Sequence, residues 1–503
     1  MLLDRVVRAS AETAATRSRK AKVLALAPVL AEATPDEAEV VAAYLSGRVL
    51  QRRTGVGWRS LATLPAPADS PGLTVREVHE ALDALSVLSG PGSQAARAAA
   101  LEALLARATA PEQQWLRAVL TGQVRQGALD ALLQEAVARA SGVPLELVRR
   151  AAMLSGSTVA VVTAALRDGA PALEAVGLDV GRPVLPMLAS SAPDLPTALA
   201  RAEGAVAVDT KLDGIRVQVH RRGEETRVWT RSLDDVTARL PEVVAVVAAL
   251  PVSSLVLDGE ALLVGPDGRP RAFQETASRV ARAESDAAVT PYFFDLLHLD
   301  GTDLLDAPAA ERWRLLEELV PVAHRTPRLV TASEPEASAF LADVLAAGHE
   351  GVVVKDPAAP YAAGRRGAAW VKVKPVHTLD LVVVAVEWGS GRRRGMLSNI
   401  HLAARAADGP DDGLVMLGKT FKGMTDEVLA WQTERFLGLE THREGHVVHV
   451  RPEQVVEVAF DGVQRSTRYP GGVALRFARV VRYREDKAPA EADTLEAVRA
   501  HLA

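Results

Sequence analysis

A proline-rich joint, GRPVLPMLASSAPDLPTAL at residues 181–199, separates two stretches of sequence with different hydrophobic periods. Pro183, Pro186, Pro193 and Pro196 each fix φ and remove a backbone donor, so no continuous helix crosses the segment and a domain boundary is expected there. From residue 1 to about 175, apolar residues recur three and four apart, the helical spacing, and alanine is abundant. In TPDEAEVVAAYLSG, Thr34 is expected to cap a helix, Pro35 to open it, Glu37 to complete a capping box and Gly47 to stop it. TVREVHEALDAL repeats the box with Thr74 and Glu77, and PEQQWLRAVLTGQVRQGALDALLQEAVARASG reads as two helices broken between Gly122 and Gly127. On composition alone this half is a helical bundle without chemistry.

Beyond the joint the period becomes two. GAVAVDTK, IRVQVH and TRVWTR alternate as strands do, with RRGEE as a hairpin turn. SLVLDGEALLVGPDGRPRAF reads as strand, short turn and strand before a Pro-Asp-Gly turn, and PYFFDLLHLDG and EGVVVKDP read as buried strands. From about residue 377 onward, short strands with glycine turns surround one helix near TDEVLAWQTERF, a pattern that suits a small β-barrel.

A chain of 503 residues is too long for one hydrophobic core, and about three domains are expected. With 48% hydrophobic and 24% charged residues it has the balance of a soluble globular protein. No run approaches the ~20 apolar residues of a membrane span. The N-terminus lacks the ordered regions of a signal peptide, so a cytoplasmic location is expected. The absence of cysteine excludes disulfides, thiolate catalysis and Cys-ligated zinc. A net charge of -5 advertises no nucleic acid, although a DNA-binding face needs only a local stripe of Arg and Lys.

Several short segments carry chemistry. In WVKVK, alternation puts Trp370, Lys372 and Lys374 on one face, with the two ammonium groups about 7 Å apart. Such a pair suits a phosphate chain, and equally an edge strand guarded by lysines. LDGE supplies Asp258 and Glu260, and HEGVVVK supplies Glu350, each carboxylate close to a glycine. Hard oxygen ligands of this kind suit Mg²⁺ bridging to phosphates, and acid-Gly pairs also occur in ordinary turns. Lys211 stands at a strand end in KLDGIR, beside Asp213 and Arg216. A free lysine is neutral in only about one molecule in 2,500 at pH 7. To attack phosphorus it must lose a proton, which neighbouring cations (Lys372, Lys374, Arg216 and a metal) would favour and nearby carboxylates would oppose.

KLDGIR, LDGE, FFDLLHLDG, EGVVVK, WVKVK and LRFARVVRYREDK occur in this order across about 280 residues. Together they resemble the motif set of ATP-dependent DNA ligases, within the covalent nucleotidyltransferase superfamily. RPVLPMLA resembles the segment ahead of the ligase catalytic domain, and LTGQVRQGALDALL a patch of the helical DNA-binding domain of larger ligases. The resemblance implies a multidomain chain. Its parts would be an all-α DNA-binding domain over 1–180, an α+β adenylation domain over 181–375 and an OB-fold β-barrel over 376–503.

It implies an enzyme that adenylates a lysine with ATP, passes AMP to the 5′-phosphate at a nick, and lets the 3′-hydroxyl displace AMP. Lys211 would be the nucleophile, with Asp213 ordering the site around it. Asp209 would lie near adenine, Phe294 would stack on it with Phe293 as the alternative register, and Arg216 would meet the ribose or its phosphate. Arg231 matches the position that meets AMP or the nick phosphate, although Ser232–Leu233 depart from the asparagine often found beside it. Glu260 would serve ribose and metal, Glu350 the metal. Arg366, with Arg365 as competitor, and Lys372 and Lys374 would bind phosphate. Arg476, Arg479, Asp486 and Lys487 would orient the pyrophosphate when the barrel swings over the site.

The implied partners are ATP, Mg²⁺ or Mn²⁺ and nicked duplex DNA. A monomer near the nucleoid is expected, serving DNA replication, repair or recombination. An NAD-dependent ligase would carry a four-cysteine zinc site, which a cysteine-free chain cannot build. An RNA ligase or a non-catalytic clamp of the same fold are the alternatives.

Overall fold

The computed structural model describes residues 1–502 except 125, 128–129, 282–286, 363–365 and 407–412, and except the side chains of 366–368 and 392. Its first part is helical: α1 Leu3–Ala15, α2 Arg19–Glu32, α3 Ala38–Leu45, α4 Val75–Val87, α5 Ser93–Ala106, α6 Ala110–Leu120, α7 Asp130–Ser141 and α8 Leu145–Leu154. One apolar core runs through it from Leu3 to Leu173. Both hydrogen bonds of the Thr74–Glu77 box form at the start of α4. The box expected at Thr34 does not. The Glu37 carboxylate instead takes the Met1 ammonium at 2.8 Å and the Thr34 hydroxyl at 3.1 Å, and α3 begins only at Ala38. The ammonium, a charged donor, competes well for the carboxylate against an uncharged backbone N–H. Gly47, at φ 76°, follows the end of α3 as the sequence suggests.

The proline joint is packed. Met153 and Leu154 of α8 share an apolar cluster with Val180, Val184 and Met187, and with Val256, Leu297, Tyr361 and Trp370 of the next part. Among the described residues that part has nine strands in order before residue 360, and a tenth after it. They are β1 Leu188–Ser191, β2 Val206–Lys211, β3 Ile215–Arg222, β4 Glu225–Thr230, β5 Ser254–Leu263, β6 Val289–Leu299, β7 Thr302–Asp303, β8 Arg328–Thr331, β9 Gly351–Lys355 and β10 Arg366–Val373. They form two sheets, β1-β10-β9-β2-β8 and β4-β3-β5-β6-β7. The chain passes from the first sheet to the second through Leu212, Asp213 and Gly214, between β2 and β3.

The segment read as strand, turn and strand is one continuous strand, β5. Gly259 does not turn the chain. A Cβ there would meet the Tyr292 carbonyl oxygen at 2.7 Å, and the pairing with β6 shifts register at Asp258/Gly259. The glycine lets two backbones approach.

The last part carries β11 His377–Trp388, β12 Leu397–Arg405, β13 Leu414–Thr420, β14 Glu440–Glu444, β15 Val447–Val450, β16 Val455–Phe460, β17 Gly462–Arg465, β18 Val473–Arg476 and β19 Arg479–Arg484. The long strand β11 divides one edge between partners: His377–Val382 pair with β16, and Ala385–Glu387 with β15. Its other edge pairs with β12. This sharing wraps the sheet in the OB manner without closing it, and β17 and β18 form a separate hairpin. The helix Asp426–Gly438 lies where TDEVLAWQTERF placed it, capped by Thr425.

Candidate active site

Because β2 ends at Lys211 and β3 starts at Ile215, the turn sets Lys211 on one sheet and Arg216 on the other, both facing a common cleft. The turn has little room: a Cβ on Gly214 would collide with the Ala261 carbonyl oxygen. A Cβ on Gly351 would collide with the Val373 carbonyl, and Gly351 holds φ 142°. The close approach that these two glycines allow brings Glu260 and Glu350 to the lysine. The cleft encloses about 430 Å³ and is lined by Lys211, Arg216, Arg231, Glu260, Phe294 and Lys372, with Trp370 and Lys355 on its wall. That is the size and polarity of a small-ligand site.

At the deep end the charges are buried and paired. Asp209, 1% exposed, takes Arg328 Nη2 at 2.8 Å and Lys355 Nζ at 2.7 Å. Burial tends to raise this carboxyl, but the two cations win and hold it below the usual carboxylate range. Lys355 also lies 4.5 Å from the centre of the Phe294 ring and 4.3 Å from that of Trp370, and Phe294 meets Trp370 edge-on at 5.7 Å. Phe294 faces the cleft while Phe293 is wholly buried in the core, as alternation along β6 requires. Arg216 grips Asp258 through two hydrogen bonds of 3.0 and 2.6 Å, and Tyr361 donates to the same carboxylate at 2.7 Å. Asp258 therefore serves as the arginine's anchor.

At the mouth the pairs are partly exposed. Lys211 donates to Glu350, which also takes Lys374 at 3.0 Å. Lys374 reaches Asp461 on the turn between β16 and β17, and Arg476 of β18 donates to Asp213 at 2.9 Å. The C-terminal part thus touches the KLDG turn directly. Arg479 approaches Asp461 at 3.6 Å. In this arrangement Asp486 pairs with Arg484 at 2.7 Å and Lys487 with Asp380 at 2.6 Å, so neither is in contact with Lys211. The nearest partner of Lys211 is a carboxylate, where the sequence reading stressed cations.

Glu260 accepts from the Gly214 N–H at 3.2 Å, and burial pushes its carboxyl up to about 7 against the pull of Lys211 and Arg216. An undercompensated carboxylate on one side of the lysine, and Glu350 on the other, form a donor set that fits a hard divalent cation. Arg231 lines the cleft, and Leu233 beside it holds φ 64°. Asparagine adopts that left-handed conformation more readily than leucine. The backbone of Arg366 lies in β10, whereas its side chain and all of Arg365 lie outside the described residues. Sequence reasoning missed Arg328, Lys355, Tyr361 and Asp461. A lysine closing the apolar run EGVVVK was the one signal available for them.

A lysine at the crossing of two sheets, carboxylates close by and a cleft rich in cations suit a ligand that carries phosphate. Comparison with known proteins narrows the class. Residues 186–374 match the model of the ATP dependent DNA ligase domain, 393–487 its C terminal region and 56–138 the DNA ligase N terminus. A probable DNA ligase of Nocardioides sp. (strain JS614) is 69% identical, over 100% of this chain and 99% of its own length. A probable DNA ligase of Kineococcus radiotolerans is 64% identical, over 99% of each. The solved structure Pmar-Lig_PreS3 shares the fold, with a TM-score of 0.62 at 19% identity, over 95% of this chain and 99% of that one. The chain belongs to the ATP-dependent DNA ligase family, an enzyme with ATP as its substrate.

Proposed function

We propose that the enzyme seals nicks in duplex DNA and that Lys211 is the residue it adenylates. The observation that carries this reading is the position of Lys211 at the crossing between the sheets, in contact with Glu350 and within the cleft. In the first step Lys211 Nζ attacks the α-phosphorus of ATP. A P–N bond forms, the bond to the β-phosphate oxygen breaks and pyrophosphate leaves. The lysine must first lose a proton, to Glu350, to which it is hydrogen-bonded, or to solvent, because an ammonium has no lone pair. AMP then moves to the 5′-phosphate of the nick, and the 3′-hydroxyl displaces it to form the phosphodiester.

Each step moves charge among phosphate oxygens, so preorganised cations supply much of the rate. Lys372 and Lys374 are assigned to phosphate oxygens, Arg231 to AMP or the nick phosphate, and Arg216 to the ribose side. Phe294 would stack on the purine. Asp209 would then act through its ion pairs, because both its oxygens are already taken by Arg328 and Lys355. Mg²⁺, when bound, supplies Lewis-acid neutralisation of phosphate charge, and Glu350 with Glu260 are the residues that would hold it.

Arg476 and Arg479 would orient pyrophosphate in the first step only. The contact of Arg476 with Asp213 supports a closed form suited to that step, after which the C-terminal part has to leave for DNA to enter. The reading divides the chain into a DNA-binding part over 1–180, an adenylating part over 181–375 and a mobile OB part over 376–503, acting as a monomer. In TGQVRQGA, part of the segment that resembles a patch of the DNA-binding domain and a candidate DNA contact, Arg125 and Ala128 lie outside the described residues. Gln126 is 3% exposed and hydrogen-bonds to Ser10, so it supports the loop from within.

The test is incubation with labelled ATP and Mg²⁺, followed by peptide mapping, beside sealing of a nicked duplex with ATP or NAD. An acid-labile AMP adduct on Lys211, and sealing with ATP alone, are expected. An adduct on another residue would overturn the assignment.

A further inference from the structure

We propose that the edge hairpin formed by β14 and β15 holds a divalent transition-metal ion of the zinc type, distinct from the Mg²⁺ of catalysis. His442, Glu444 and His449 each offer one ligand atom, and these atoms all lie within 4.8 Å of one another. The ladder dictates the grouping: His442 is directly opposite His449, and Glu444, two residues on, shares the face of His442. The two imidazoles lie parallel, with centroids 4.3 Å apart and an interplanar angle of 6°, and Glu444 Oε2 is 3.8 Å from His449 Nε2.

The hydrogen bonds around the pair also suit metal ligation. The Thr441 hydroxyl lies 3.1 Å from the His449 carbonyl and 3.2 Å from His442 Nδ1, within reach of both. With the hydroxyl turned to the carbonyl, His442 would carry its proton on Nδ1 and its lone pair on Nε2, the arrangement in which a metal-ligating histidine is held by its second nitrogen. Without a cation the pairing has little to recommend it. Two stacked neutral rings gain little, and protonating both would set like charges against each other. A cation shared between the lone pairs turns the proximity into chelation.

Tetrahedral zinc, with bonds of about 2.0–2.1 Å, needs donors about 3.4 Å apart. The exposed His442 and Glu444 can rotate inward to reach that spacing, and water completes the shell. Two nitrogens and one carboxylate favour Zn²⁺, Cu²⁺ or Ni²⁺ over Mg²⁺, whose preference is for oxygen alone. β14 ends the pairing path of its sheet, so the ion would pin this edge strand to β15.

The test uses the full chain, stripped with chelator and titrated with Zn²⁺ by calorimetry and by thermal unfolding. Wild type is expected to bind one ion that His449→Ala or His442→Ala weakens by at least about tenfold, since even losing an outer-shell partner costs 10–100-fold. Zn²⁺ should raise the unfolding temperature of wild type more than that of either variant. Glu350→Gln should keep the site, and His442→Ala should still seal nicks with Mg²⁺ at the wild-type rate. Equal affinity in wild type and His449→Ala, or binding lost only in Glu350→Gln, would overturn the proposal.

Discussion

At the deep end of the cleft and behind it, Asp209, Asp258 and Asp295 are at most 1% exposed, and each faces an arginine through a two-point contact. At the mouth, Lys211, Glu350, Lys374, Asp213 and Arg476 keep between 19 and 32% of their side-chain surface in solvent, and two of their pairings cross to the C-terminal part. The residue types are the same, but their environments make them different devices. A buried pair has given up its hydration and cannot change partner without stranding a charge. A partly solvated pair separates at lower cost, because water can reach each partner. The deep end is therefore a fixed wall. The mouth is a set of exchangeable contacts, which a lysine that must be released, adenylated and relieved of AMP requires.

Each side of that contrast can be broken separately. The largest effect is expected from Lys211→Ala, which should lower adenylation and nick sealing by at least about 10⁴-fold, the scale of losing a covalent nucleophile. The chain's unfolding temperature should stay near wild type; a large drop would put Lys211 in the wall. Next comes Asp295→Ala, which strands Arg312, itself 0% exposed. A loss of about 3–5 kcal/mol in denaturant unfolding is expected, and a loss below 1 kcal/mol would show that the deep end is not rigid.

Arg476→Ala should slow lysine adenylation by roughly 10²–10³-fold, typical of removing one aligned cation from a phosphoryl site, while sealing of a pre-adenylated nick persists. If both steps survive, the closed contact with Asp213 has no part in the chemistry. The smallest effect is expected at the exposed pair of Arg17 and Asp426, 3.0 Å apart, which joins the helical and C-terminal parts. Arg17→Ala should change stability by less than about 1 kcal/mol, measured by thermal unfolding.

Much of this molecule is legible from local sequence. The period changes at the proline joint, the Thr74–Glu77 box forms as written, and alternation along WVKVK puts Trp370 and Lys372 on the cleft wall. Local reading failed where a residue had a distant competitor or neighbour. Glu37 was claimed by the Met1 ammonium instead of its own helix, and Gly259 marks a close crossing of strands that resembles a turn in one dimension. Arg328 lies 119 residues from Asp209 and meets it only because the sheet sets β8 and β9 on either side of β2.

The sequence by itself determined the helical and strand halves, the position of the joint and the order of six motifs that mark the family. These depend on periodicity and on side-chain chemistry within a few residues. Tertiary structure alone decided which charges are paired for good and which remain free to change partner. That depends on burial and on contacts across the sheet order, because the strength of an ion pair is set by how much water surrounds it.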